Sequence, residues 1–324
     1  MVAPDRIPGA RSAGRDRPGA TAPARGQAAV CGYHLVMRTQ RIPVAEDVEL
    51  AVDTWPATSA GPDGPELTAF VLVHGLASNA RVWDGVAERL AGAGHLAVTV
   101  DLRGHGRSSK PDGPYDVATV AEDVAAVIPA LGLDRPVVAG QSWGGNVVLE
   151  LAARHPDLVR GIVCVDGGWL EPSRGFPDWE ACRTALAPPR LVGRQLSEIE
   201  AYIRSAHPDW PETGIRGTLA NFEVRPDGTV APWLTYDRHI AVLRGLWEHH
   251  PPERYASLSV PVLLVPADGG DPDWTERKRR DVDAARGAIP DARVRWFTGD
   301  HDIHAQHPGE LADVMLTTTN GWAT

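Results

Sequence analysis

Cysteine is scarce in this chain of 324 residues: Cys31, Cys164 and Cys182 are all there are. Thiols so spaced supply neither a disulfide framework nor a metal-type motif, so the expectation is reduced thiols in a cytoplasmic protein. Long apolar runs are missing too. No stretch approaches the roughly 20 apolar residues that cross a bilayer. None near the start has the apolar centre of a secretory signal. Positive charge is in deficit, with 32 Lys and Arg against 42 Asp and Glu and a net charge of −10. Without a basic stripe, nucleic acids and anionic membrane surfaces are poor partners. What is present is apolar mass. Hydrophobic residues make up 43% of the chain, enough for one large core with a modest insertion.

Residues 1–36 differ in kind. They hold four prolines, five glycines, eight alanines and five arginines against Asp5 and Asp16. Such a composition has little to bury and reads as an extension without structure, a transit-like leader being the other reading. Met37 directly precedes the first strand-like segment, which fits an upstream start. From there, short apolar strands alternate with amphipathic helices. Residues 48–55 alternate as a half-buried strand, and a Gly/Pro-rich turn cluster follows at 59–65. Apolar runs at 69–73, 97–100, 136–140, 161–165 and 261–265 predict strands buried on both faces. Helical patterns cover 81–92, 117–131, 146–154 and 274–288. A strand follows over 292–297, and a last helix starts near Pro308.

That alternation predicts an α/β fold with a parallel sheet covered on both sides. The rhythm breaks over 167–257, which holds prolines, acidic helices and five of the eleven tryptophans but no clear buried strand. The expected organisation is therefore a core of 37–166 and 258–324 with a helical cap, 167–257, over the carboxyl edge of the sheet. Open parallel sheets place their ligands at that edge.

The chemistry is concentrated at Gly140-Gln141-Ser142-Trp143-Gly144, with a predicted strand before it and a helix after it. A serine on a sharp strand-to-helix turn stands exposed beside unpaired N–H groups, and glycines two residues either side keep a Cβ from colliding. Serine needs a base and an oxyanion site to act as a nucleophile. His301, the first histidine after the last strand, is the expected base. His304 is the alternative, and His304 and His307 beside it also leave a metal reading open. Three carboxylates at strand ends compete to orient the imidazole: Asp166 first, then Asp271 and Asp268. Any of them is equally able to cap a loop. The oxyanion donors are expected from the backbone N–H groups of Trp143 and of Leu76, in Val73-His74-Gly75-Leu76. His74 itself reads as a buried hydrogen-bonding residue.

Four segments in order carry a resemblance to the α/β-hydrolase fold superfamily. They are Val73-His74-Gly75-Leu76, Asp101-Leu102-Arg103-Gly104-His105-Gly106-Arg107-Ser108, Gly140-Gln141-Ser142-Trp143-Gly144-Gly145, and Asp300-His301 with Pro308 downstream. The match spans about residues 38 to 319. It implies an eight-stranded, mostly parallel sheet with an inserted helical cap after strand six, and a supporting role for 101–108. Relatives with aspartate at the nucleophile position are dehalogenases and epoxide hydrolases, and Ser142 argues against both. The family often places its acid after strand seven. Here that register falls on Gly270, with Asp271 one residue later, whereas Asp166 matches relatives whose acid ends strand six.

The function expected is hydrolysis of a carboxylic ester, lactone or thioester of a mostly apolar small molecule, an EC 3.1.1-type activity without cofactor or metal. Carbon–carbon bond hydrolases, proline-type aminopeptidases and perhydrolases share the same triad. An aminopeptidase would need a cap carboxylate such as Glu200, Glu212 or Glu223. A non-catalytic, receptor-like hydrolase fold is the alternative of another class. Trp169, Trp179, Trp210 and Trp233 are candidates for substrate contact, with the core of the cap as their plainer role. Oligomeric state is not legible.

Overall fold

The computed structural model describes residues 37–58 and 68–322. The expected extension 1–36, with Cys31, and the turn cluster 59–65 lie outside them. Twelve strands are described: β1 Arg38–Ala45, β2 Val48–Trp55, β3 Phe70–Val73, β4 Ala97–Val100, β5 Val137–Gln141, β6 Gly161–Val165, β7 Phe222–Val224, β8 Val230–Pro232, β9 Val262–Val265, β10 Ala267–Asp268, β11 Ala292–Val294 and β12 Phe297–Thr298. Eight of them form one sheet in the order β1-β2-β4-β3-β5-β6-β9-β11. β1 and β2 form an antiparallel hairpin, and β2 runs antiparallel to β4. Every later pair in this sheet is parallel.

Each central strand is apolar on both faces because both are covered. Val71, Val73, Val138, Ile162 and Leu264 join one buried cluster, which includes residues of helices α2 (Val117–Ala130), α3 (Trp143–Arg154) and α10 (Pro272–Ala288). Phe70, Leu72, Ala139, Val163 and Leu263 face the other way, onto α1 (Asp84–Gly92) and α12 (Pro308–Thr319). Burying each such Leu, Ile or Val contributes about 1.5–3 kcal/mol. The chain leaves β3 for β4 on one side and returns for β5 on the other, so the sheet order reverses between β3 and β5. Loops leaving the two strands part there and open a crevice.

Between β6 and β9 the chain builds α4 (Pro172–Gly175), α5 (Trp179–Ala185), α6 (Leu196–Ala206), α7 (Glu212–Leu219), the β7–β8 hairpin, α8 (Tyr236–Glu248) and α9 (Pro252–Tyr255). Ile199, Ile203, Ile215 and Val230 give this segment a small core of its own. The hairpin adds two short, mostly unburied strands to the helical cap expected over 167–257. Its turn signal, Pro226-Asp227-Gly228, was in the sequence: Gly228 takes φ 80° and the Asp227 carboxylate accepts from the Thr229 amide. The strands beside it are only three residues long, too short to show a period.

The strand expected over 292–297 is divided. β11 joins the main sheet, while β12 pairs in parallel with β10 in a separate two-stranded ladder. That ladder carries the chain from the edge of the sheet to His301, ahead of α11 (Ile303–Gln306).

Candidate active site

Ser142 lies between β5 and α3 with φ 53° and ψ −121°, in the left-handed half of the map that ordinary side chains avoid. The surroundings force this turn. A Cβ on Gly140 would strike the Gly144 carbonyl, and one on Gly144 would strike the His74 carbonyl. Ala77 (φ 59°), just after Leu76, and Asp166 (φ 42°), at the end of β6, also take positive φ. Such strain persists where neighbouring structure over-determines it.

His301 and Asp166 meet. His301 Nδ1 lies 2.6 Å from Asp166 Oδ2, and the Asp166 side chain is 2% exposed. A carboxylate only accepts, so the proton sits on Nδ1 and Nε2 keeps a free lone pair, as a base requires. The serine turn is tied to both residues. The Ser142 amide donates to the Val165 carbonyl at 2.9 Å, one residue before Asp166. Gln141 Nε2 donates to the His301 carbonyl at 3.1 Å.

The acid candidates separate by what they touch. Asp271 caps α10 by accepting from the Trp274 amide, and Asp268 accepts from the Gly270 amide and the Thr275 hydroxyl. Only Asp166 reaches the imidazole. Its Oδ1 also accepts from the Ala267 amide at 3.0 Å, and Lys278 Nζ lies 2.7 Å from Oδ1 and 2.9 Å from Oδ2. Burial opposes the Asp166 charge, but His301, Lys278 and the Ala267 amide outweigh it and hold the carboxyl below its usual range. Lys278 and Gln141 did not stand out in the sequence. Lys278 is one of four consecutive cations, 277–280, and nothing local marks it as the buried one.

The expected oxyanion residues flank the serine. Trp143 is the first residue of α3, so its N–H has no intrahelical acceptor. Gly75, just before Leu76, packs so closely that a Cβ there would lie 3.1 Å from Ser142 Cβ. His74 fixes this loop: Nδ1–H donates to the Gly75 carbonyl at 2.7 Å, and Nε2 accepts from the Leu102 amide at 3.0 Å. Burial holds His74 down to about 4, so it is neutral at ordinary pH. The 101–108 loop braces the same region. Asp101 accepts from the Ala80 amide and from Arg107, Arg107 pairs with Asp53, and His105 stacks on Trp143 and packs tilted against His74.

His304 is buried against Trp83, with ring centres 4.6 Å apart, and burial holds it down to about 4. Among the described residues no group of three His, Cys, Asp or Glu side chains is placed to hold a metal ion. Cys164 and Cys182 are free and buried, and burial pushes Cys164 up to about 12, which makes it a poor nucleophile.

A cavity of about 980 Å³ opens beside this loop cluster, with Ala77, Ser78, Phe222, Trp233, Leu234 and His239 among its lining. Ser142 and His301 do not line it; its lining includes Ala77 and Ser78, the two residues after Leu76. Of the four tryptophans considered for substrate contact, Trp233 lines the cavity. Trp169 belongs to the main core, Trp179 packs on Trp247, and Trp210 donates to Asp300 at 2.9 Å. Glu200 and Glu212 pair with Arg204 on the surface, so neither is free to hold a substrate amine, and Glu223 is exposed.

A family model described as the alpha/beta hydrolase fold matches residues 68–197. A protein of Azorhizobium caulinodans named "Putative carbamate hydrolase RutD" is 30% identical over 256 residues, covering 77% of this chain and 90% of its own length. The 2-(acetamidomethylene)succinate hydrolase of Mesorhizobium japonicum is 29% identical over 202 residues, 62% of this chain and 70% of that one. The crystal structure of an E-2-(acetamidomethylene)succinate hydrolase superposes with a TM-score of 0.69 over 88% of this chain and 100% of its own, at 22% identity. The chain belongs to the α/β-hydrolase fold family, and the relatives named here are hydrolases. Among the described residues no helix is long and apolar enough to cross a membrane.

Proposed function

We propose that this protein is a serine hydrolase that cleaves a carboxylic ester, lactone or thioester of a mostly apolar small molecule through an acyl-enzyme on Ser142. The 2.6 Å contact between His301 Nδ1 and Asp166 Oδ2, tied to the serine turn through Gln141, carries this reading. His301 Nε2 takes the Ser142 proton as Oγ attacks the carbonyl carbon. The N–H groups of Leu76 and Trp143 receive the oxyanion. His301 then returns the proton to the leaving alkoxide or thiolate, and water, activated by the same imidazole, releases the acid. The inserted segment acts as the lid, and the cavity beside Ala77 takes the apolar part of the substrate.

Acyl C–N cleavage on the same triad is the second reading. The names of the carbamate hydrolase and acetamidomethylene-succinate hydrolase relatives favour it. One experiment separates both from a non-catalytic binding role. A fluorophosphonate probe labels the wild type at Ser142, and Ser142→Ala neither labels nor turns over esters, with kcat down by roughly a thousandfold or more. Labelling that persists in Ser142→Ala would overturn the assignment. A panel of matched esters, thioesters, amides and carbamates then ranks the acyl leaving group.

A further inference from the structure

We propose that Lys278 is a positioning residue for the triad: it clamps both oxygens of Asp166 and sets the pH at which His301 becomes free to accept a proton. The inference rests on the serine-hydrolase reading of the same site. Lys278 projects from α10, and its side chain is 8% exposed. Its ammonium lies 2.7 Å from Asp166 Oδ1, 2.9 Å from Oδ2 and 2.6 Å from the Ala267 carbonyl. With His301 on Oδ2 and the Ala267 amide on Oδ1, every acceptor direction of the carboxylate is used. Rotation of the carboxylate would break at least two of these bonds, so the orientation presented to His301 Nδ1 is locked.

A neutral donor would satisfy the same lone pairs. A cation does something more. The carboxylate stabilises an imidazolium at His301, and a positive charge on the far side of that carboxylate opposes it. Other titratable groups facing the trio are few. Asp268 on β10 sits near Lys278 and Arg279, and His304 and Asp302 flank His301. Asp300 is engaged by His207 and Trp210. None of these touches Asp166, so Lys278 is the cation that bears on the Asp166–His301 pair from within bonding distance.

The consequence is a base that remains deprotonated at lower pH than a carboxylate–imidazole pair alone would allow. In Lys278→Gln and Lys278→Met, the acid limb of kcat/KM moves up by about one pH unit. Lys278→Arg keeps the charge and leaves the limb in place. A merely structural lysine would lower Tm and kcat and leave the limb unmoved, and that outcome overturns the proposal. The same shift is read without turnover. In a Ser142→Ala background, the His301 imidazole, followed by NMR, titrates about one pH unit higher when Lys278 is replaced by Gln. A wild type that fails to label with fluorophosphonate would sink the hydrolase reading, while the NMR comparison still decides the role of Lys278. Should neither neutral variant fold, the wild-type spectrum decides. An ammonium Nζ resonance that moves as His301 titrates supports the coupling; a neutral amine, or a resonance indifferent to His301, overturns it.

Discussion

At the scale of single residues, the site depends on which carboxylate sits behind His301. Asp166, Asp268 and Asp271 all follow strands, and all three accept hydrogen bonds, but their partners assign them different work. Asp166→Asn lowers kcat by about 10⁴, because the amide can present a donor to Nδ1 and so favour the wrong tautomer, and it also lowers the urea midpoint, because the buried Lys278 ammonium loses its counter-charge. Asp271→Ala loses a helix cap and costs about 1 kcal/mol, read as a lower urea midpoint, with near-normal turnover. If the two variants exchanged these phenotypes, the assignment of the acid would be reversed. The serine turn and the place of His301 were legible because turn chemistry and position in the strand order are local. The acid was not, because three carboxylates share the same local pattern and differ only in what lies across space.

At the scale of elements, two junctions hold the loops that carry the site. Asn146 on α3 accepts from the Gly168 and Leu170 amides and donates to the Leu170 carbonyl, so the turn after Asp166 is anchored on the helix that follows Ser142. Behind it, His249 and Glu150 continue the chain of contacts, and Arg154 and Arg254 also bond Glu150. Burial opposes the Glu150 charge, but these three partners hold its carboxyl down to about 2. Asn146→Ala leaves the Gly168 and Leu170 amides without their acceptor and costs about 2–3 kcal/mol, measured by urea denaturation. The second junction ties the inserted segment to the His301 loop. His207 Nδ1 and Trp210 Nε1 both bond Asp300 Oδ2, at 3.1 Å and 2.9 Å. Asp300→Ala removes the acceptor that both donors share, and the amides of 207–210 then exchange hydrogen faster, by about tenfold for a loss near 1.4 kcal/mol. Unchanged exchange would show that the segment is held elsewhere.

At the scale of the whole molecule, buried histidines set the response to acid. Burial holds His74, His239 and His304 down to about 4 each. In the unfolded chain they return to their ordinary value of 6.5. Between those limits the unfolded state binds more protons, so stability is lost as pH falls from about 6.5 toward about 4. Each contributes on the order of 2 kcal/mol of loss by pH 5. Asp84 works the other way. Burial, against the pull of Arg81, pushes it up to about 6, and it offsets about 1 kcal/mol over the same interval. The urea midpoint therefore holds above neutrality and falls clearly by pH 5. His304→Gln weakens that dependence, and a midpoint equal at pH 7 and pH 5 would contradict it.

The sequence alone determined the buried central strands, the serine turn, the interruption after β6 and the place of His301, because each is written in short-range terms: apolar period, turn residues and order along the chain. Only the tertiary structure decided that Asp166 backs the imidazole, that Lys278 lies against Asp166, and that Trp233 rather than Trp169, Trp179 or Trp210 lines the cavity. Those choices are made by the rotation of α10 against the sheet and by the fold of the inserted segment. Residues more than a hundred positions apart then lie within a hydrogen bond of one another, and no local pattern encodes that distance.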